Sequence, residues 1–121
     1  MSDEAKAPEP PYYAVIFASK RRPEDQGYGE TAKAMVESVS RQKGFLGSES
    51  ARDAEGFGIT VSYWDSMESI EGWKRDLAHM AAKKKGRELW YESYAIRFCI
   101  VQSVSFFEAG SLGGDRGLPP Q

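Results

Sequence analysis

The residue pattern predicts an α+β fold of order β-α-β-β-α-β: a ferredoxin-like, four-stranded antiparallel sheet with two helices on one face. Three observations carry this expectation. Apolar spacing switches from a strand-like to a helix-like period twice along the chain, and each time switches back. A hairpin signal, Asp53-Ala54-Glu55-Gly56, falls between the two helical stretches. The chain has 121 residues, and its Pro- and Gly-rich ends leave material for one domain.

The domain is expected over 12–107, between tails at 1–11 and 108–121 whose composition cannot build a core. The first strand is Tyr12–Ser19, aromatic and β-branched and nearly apolar on both faces. A polar loop around Pro23 follows. From about Gly29, Ala32, Met35, Val36 and Val39 form one helical stripe, and Gly44 stands where a C′ glycine would end that helix. Leu46–Arg52 reads as a polar strand. Phe57–Trp64 alternates cleanly, with Phe57, Ile59, Val61 and Tyr63 on one face and Gly58, Thr60, Ser62 and Trp64 on the other. Asp65 and Glu68 suggest a capping box for a second helix. Its stripe is Ile70, Trp73, Leu77 and Met80, and Lys83-Lys84-Lys85-Gly86 closes it. A connector over Gly86–Glu92 leads to a last strand, Tyr94–Phe107, with Tyr94, Ile96, Phe98 and Ile100 on one face.

Helices can cover only one side of this sheet. The first and last strands are apolar on both sides, so the second face needs a partner. The expectation is a homodimer whose two sheets pack face to face.

Composition excludes several functions. Sixteen basic and eighteen acidic residues give a net charge of −2, which does not suit a generic nucleic-acid binder. The Lys83–Lys85 cluster with Arg87 is explained by helix termination. One cysteine, Cys99, allows no internal disulfide, and one histidine, His79, allows no multi-His metal site. Cys99 is expected to pack as a small apolar residue. No apolar run is long enough for a membrane span, and the N-terminal stretch does not read as a secretory signal. The default location is the cytoplasm. Three Trp, six Tyr and six Phe make the chain 12% aromatic, which points to an apolar, aromatic-lined ligand cavity.

The run GFGITVSYWDSMESIEGWKRDLAH (Gly56–His79), followed by GRELWY (Gly86–Tyr91), resembles the antibiotic biosynthesis monooxygenase family of dimeric α+β barrels. The upstream run Gly27–Asp53, with its Gly-Phe-Leu-Gly step at 44–47, fits the same pattern. The resemblance spans roughly Tyr12 to Phe107. It implies oxygenation of aromatic, polyketide-like or quinol substrates with no cofactor, neither metal nor flavin. It also implies a homodimer, and that Trp73 matches a tryptophan lining the pocket between helix and sheet. A haem-degrading branch is disfavoured. Its histidine, ten residues after the helix tryptophan, is replaced by Lys83, and its strand-end asparagine by Ala18 and Ser19.

Cofactor-free oxygenation needs an apolar pocket, a proton acceptor and a polar group to hold an anion or peroxide. His79 is the one side chain with an ordinary pKa near neutrality, so it is the general-base candidate beside Trp73. On a continuous helix it would lie roughly 140° from the centre of the apolar stripe and so face outward. Tyr63 and Trp64 close the third strand on opposite faces. Trp90 and Tyr91 sit where a pocket mouth would close, and Tyr13, with Tyr28 behind it, offers a further hydroxyl to a substrate. Arg97 interrupts an apolar strand. It would bind a ligand anion or, buried in a dimer interface, bridge to a carboxylate. Core packing is the alternative for every aromatic residue named. A small hydrophobic ligand bound without turnover is the alternative for the function.

Overall fold

The computed structural model describes residues 9–110, except the side chains of Leu77 and Ala78. Most of both expected tails, 1–8 and 111–121, lies outside the described residues. The elements are β1 (Tyr12–Arg21), α1 (Tyr28–Ser40), β2 (Phe45–Arg52), β3 (Phe57–Trp64), α2 (Met67–Lys74), α3 (Leu77–Lys85), a π-helical turn (Gly86–Trp90) and β4 (Tyr91–Val101). The strands form one antiparallel sheet in the order β2-β3-β1-β4.

The hairpin forms as its sequence demands. Asp53 Oδ1 accepts from the backbone N–H groups of Glu55 and Phe57 at 2.9 and 3.0 Å, and Gly56 adopts the φ of +100° that favours glycine. Asp25 organises the start of α1 by accepting from the N–H groups of Gly27 and Gly29, both at 3.1 Å. That helix ends at Ser40 with Arg41 as its cap, earlier than a C′ role for Gly44 requires. Gly44 instead takes φ +84° at the entry to β2, where any Cβ would collide with Ser69 and Asp65.

The second helical stretch departs most from expectation. Its N-cap is Ser66, whose Oγ accepts the Ser69 N–H at 3.1 Å; Asp65 accepts the Ser69 hydroxyl at 2.8 Å instead. The helix then breaks after Lys74. Asp76 is extended, and its Oδ1 accepts the N–H of His79 at 3.1 Å, starting a new helix. Among the described residues there are therefore three α-helices rather than two. Gly86 does not stop the chain's helical path: it is right-handed, and the chain runs on as the π-helical turn. β4 consequently starts at Tyr91 and ends at Val101, shifted toward the N-terminus from the expected span.

Register assigns the faces, because directly opposite residues on neighbouring strands share one side. Tyr13, Val15 and Phe17 on β1 share the helix side with Trp64, Ser62 and Thr60 on β3 and with Ile100, Phe98 and Ile96 on β4. The core is Val15, Trp64 and Ile70, with Tyr13, Val39, Phe45, Trp73 and Ile96 packed around it. The opposite face carries Ile16, Val61 and Ile59, and no helix among the described residues covers it: Phe57 and Ile59 there are 56% and 52% exposed.

Candidate functional site

A stack of aromatic rings runs from the sheet into the helices. Trp64, at the end of β3, is fully buried, and its Nε1 donates to Ser62 Oγ at 2.9 Å. With its N–H engaged, Trp64 acts as an apolar wall. Phe45 meets it edge-on at 5.4 Å between ring centroids, and Trp73 from the last turn of α2 stacks on it at 5.2 Å. His79 lies against Trp73 as well, 4.2 Å between centroids. Tyr13 packs on the same cluster from β1.

The expectation that His79 faces outward is corrected here. The wheel assumed one continuous helix. The break at Arg75–Asp76 restarts the winding, so His79 is half-buried on Trp73 while Met80, expected in the apolar stripe, is 52% exposed. Burial pushes the His79 imidazole below its ordinary pKa of 6.5, and the Lys83 charge adds to that; Asp76 opposes both. The ring is therefore neutral at pH 7. Neither ring nitrogen is hydrogen-bonded among the described residues, which leaves one as a free proton acceptor. Trp73 Nε1 is buried and has no acceptor among the described residues. A buried N–H left without an acceptor costs stability.

A second aromatic cluster sits farther along the helix side of β1. Four residues separate Tyr13 from Phe17, or roughly 13 Å along a strand. Phe17 packs on Tyr91 and Tyr94, both at 5.3 Å. Tyr28 meets Trp90 at 5.6 Å and Tyr91 at 6.1 Å, with the Arg21 guanidinium 3.6 Å above its ring. Trp90 is buried and donates Nε1–H to the Gln26 carbonyl at 3.0 Å. Burial, and the neighbouring Tyr28 phenol, push the Tyr91 hydroxyl well above its usual range, while Arg52 and Arg21 pull the other way. Trp90 and Tyr91 thus share the helix side with Trp73 and His79 but occupy a separate cluster.

Tyr63 and Arg97 lie elsewhere. Both face the side of the sheet that the helices leave open. The Tyr63 hydroxyl donates to Glu49 Oε1 at 2.8 Å. Burial first, then Glu49, push its pKa up to about 12, so it stays a phenol. Among the described residues no group of three or more His, Cys, Asp or Glu side chains could hold a metal, and no helix is long and apolar enough to cross a membrane. The sequence reading missed Asp76, which fixes the start of α3 and accepts from Gln42 Nε2 at 3.3 Å. Its signal was present: an Asp three residues before His79 is an N-cap pattern.

In the helix-side cluster Trp64 is fully enclosed by its neighbours, and the half-buried Trp73 has an imidazole packed beside it and an indole N–H with no acceptor among the described residues. The chain is 57% identical over 104 residues to the uncharacterized protein YqjZ of Bacillus subtilis (strain 168), covering 86% of this chain and 91% of that protein. Its fold matches protein SO0527 from Shewanella oneidensis with a TM-score of 0.67 at 7% identity, covering 77% of this chain and 93% of that one. It also matches SnoaB, a cofactor-independent oxygenase from Streptomyces nogalater, with a TM-score of 0.63 at 10% identity, covering 84% and 96%. At those identities the two structures speak to fold alone. The family pattern described as antibiotic biosynthesis monooxygenase matches residues 11–85, well over half the chain. On that match, taken with the sheet order and helix-side cluster, the chain belongs to the antibiotic biosynthesis monooxygenase family.

Proposed function

We propose that this protein is a cofactor-independent monooxygenase acting on an electron-rich aromatic small molecule of phenol, quinol or polyketide type. One observation carries the reading most: a neutral, half-buried His79 lies against a Trp73 whose buried N–H has no acceptor among the described residues. The substrate ring stacks in the aromatic cluster, and His79 takes its acidic proton. The resulting anion is electron-rich enough to reduce dioxygen. One oxygen atom enters the substrate in place of two hydrogens, and the other leaves as water. The Trp73 N–H donates to the oxygen that carries the developing charge. Tyr13 completes the apolar lining from β1, while Trp90 and Tyr91 stand apart in the second cluster. Residues 12–107 form the working unit, placed in the cytoplasm. The unit works as a homodimer through the open sheet face, where Phe57 and Ile59 remain exposed.

The test is oxygen uptake with a panel of anthrones, quinols and phenols. Uptake by the wild type that falls about a hundredfold in His79→Gln is the expected result, since a positioned general base contributes 10²–10⁴-fold. A second reading is a binding module without turnover. It is favoured by the scarcity of titratable groups: His79 is the only imidazole, and Tyr63 and Tyr91 are both held protonated. Ligand quenching of tryptophan fluorescence with no oxygen uptake would support that alternative. Haem degradation is not proposed. Lys83 stands at the position of that branch's histidine, and Ser19, near its asparagine position, is committed to Arg52 Nη2 at 2.8 Å.

A further inference from the structure

The open face of the sheet carries one row in which charge is arranged with a sense. Arg97 on β4 lies opposite Ile16 on β1, Ile16 opposite Val61 on β3, and Val61 opposite Glu49 on β2. Read across the sheet, the row is cation, apolar, apolar, anion. The cation and the anion sit on the two edge strands. Three strand spacings separate them, roughly 14 Å, too far for a pair within one chain. Arg97 is exposed and has no carboxylate partner among the described residues. Glu49 is exposed and, among the described residues, accepts from Tyr63 alone. The next row, Ala95, Ala18, Ile59 and Ala51, is largely small and apolar, and it lines an open groove of ≈ 830 Å³ that Arg97 also borders.

Such a row is self-complementary under one symmetry operation. A two-fold axis between two facing sheets, parallel to the strands, exchanges the sheet edges and preserves height along the strand. It lays β4 of one subunit over β2 of the other. A two-fold axis running across the strands would instead lay β4 over β4 and bring like charges together. Facing sheets pack about 10 Å apart, a gap that Arg and Glu side chains span together. A crossing of about 30° between the sheets displaces the ends of the row by only about 4 Å.

Resting on the homodimer of the proposed function and deepening it, we infer that the second copy docks about the strand-parallel axis. Arg97 then pairs with the partner subunit's Glu49, reciprocally, at both edges of the interface. The occupant of the open face is thus a second copy of this chain, oriented by charge complementarity over an apolar centre. Glu49 keeps its Tyr63 hydrogen bond and gains the guanidinium on its other oxygen. Arg97 then serves assembly rather than ligand binding.

Sedimentation of Arg97→Glu, Glu49→Arg and the double variant, against wild type over a concentration series, tests this. Each single reversal sets like charges together at both edges and is expected to raise the dimer Kd by at least about tenfold, whereas the double reversal restores it to within about threefold of wild type. Far-UV circular dichroism checks that each variant folds, and Arg97→Gln with Glu49→Gln replaces any reversal that does not. A dimeric wild type with no recovery in the double variant overturns the pairing and leaves the homodimer standing. A wild type that stays monomeric overturns both. Arg97-dependent binding of benzoate by a monomeric wild type would give the groove to an anionic ligand and likewise overturn the inference. None of these outcomes bears on oxygen uptake, which tests the oxygenase reading separately.

Discussion

His79 takes its chemistry from where α3 begins. Desolvation against Trp73 and the charge of Lys83 lower its pKa below 6.5, so the folded protein prefers the neutral ring. Two consequences follow from the sign. Activity that depends on His79 as a base should hold at neutral pH and fall only once the pH drops below 6.5, through the lowered pKa; a pH–rate profile checks this. Stability behaves the same way. The unfolded chain binds the proton more readily, so the His79 contribution is present above pH 6.5 and is lost as the pH falls through the window below it. Melting temperature against pH should lose that slope in His79→Gln. At Trp73 the indole can be separated from its N–H. Trp73→Phe keeps a ring against Trp64 but removes the donor, and turnover should fall about tenfold, the worth of one hydrogen bond in a desolvated site. Unchanged turnover in Trp73→Phe would reduce the indole to packing.

At the scale of elements, the joint between α2 and α3 governs the site. Asp76 caps α3 by accepting the His79 N–H, so the residue that starts the helix also aims the imidazole. Asp76→Ala should cost about 1 kcal/mol in chemical denaturation, as the loss of an N-cap does, and should reduce turnover more than that stability loss explains. Asp76→Asn keeps a capping oxygen and should recover most of both. Ile70, fully buried on α2, anchors that helix to the sheet. Ile70→Ala should cost about 2–5 kcal/mol, the range for a truncated core aliphatic. The strands were legible in the sequence because β-branched and aromatic alternation is local, and β2 and β3 appear within a residue of expectation. The joint was not legible. Trp73 and Leu77 are four residues apart, so helical periodicity runs straight across the break and hides it. A wheel drawn through it exchanges the places of His79 and Met80.

For the whole molecule, the predicted ferredoxin-like architecture and the antiparallel sheet hold, with the second helix divided in two. Alternation along β3 required Tyr63 and Trp64 to face opposite ways, but only tertiary packing decides which one meets the helices. Trp64 does, which leaves Tyr63 with Glu49 and Arg97 on the open face. The eight aromatic and charged candidates therefore divide between the two sides of the sheet. Trp73, His79, Tyr13, Trp64, Trp90 and Tyr91 lie on the helix side. Tyr63 and Arg97 lie on the side proposed for assembly. Tyr63→Phe should accordingly leave turnover within about twofold while weakening the dimer, because it releases Glu49 without touching the helix-side cluster. The central claim is that the neutral imidazole beside Trp73 drives oxygenation without a cofactor. Oxygen consumption by the metal-stripped protein with an anthrone, compared between wild type and His79→Gln, tests it most directly. The account predicts stoichiometric uptake by the wild type and about a hundredfold slower uptake by the variant. Equal rates in the two proteins, or no uptake by either across the anthrone, quinol and phenol panel, would contradict it.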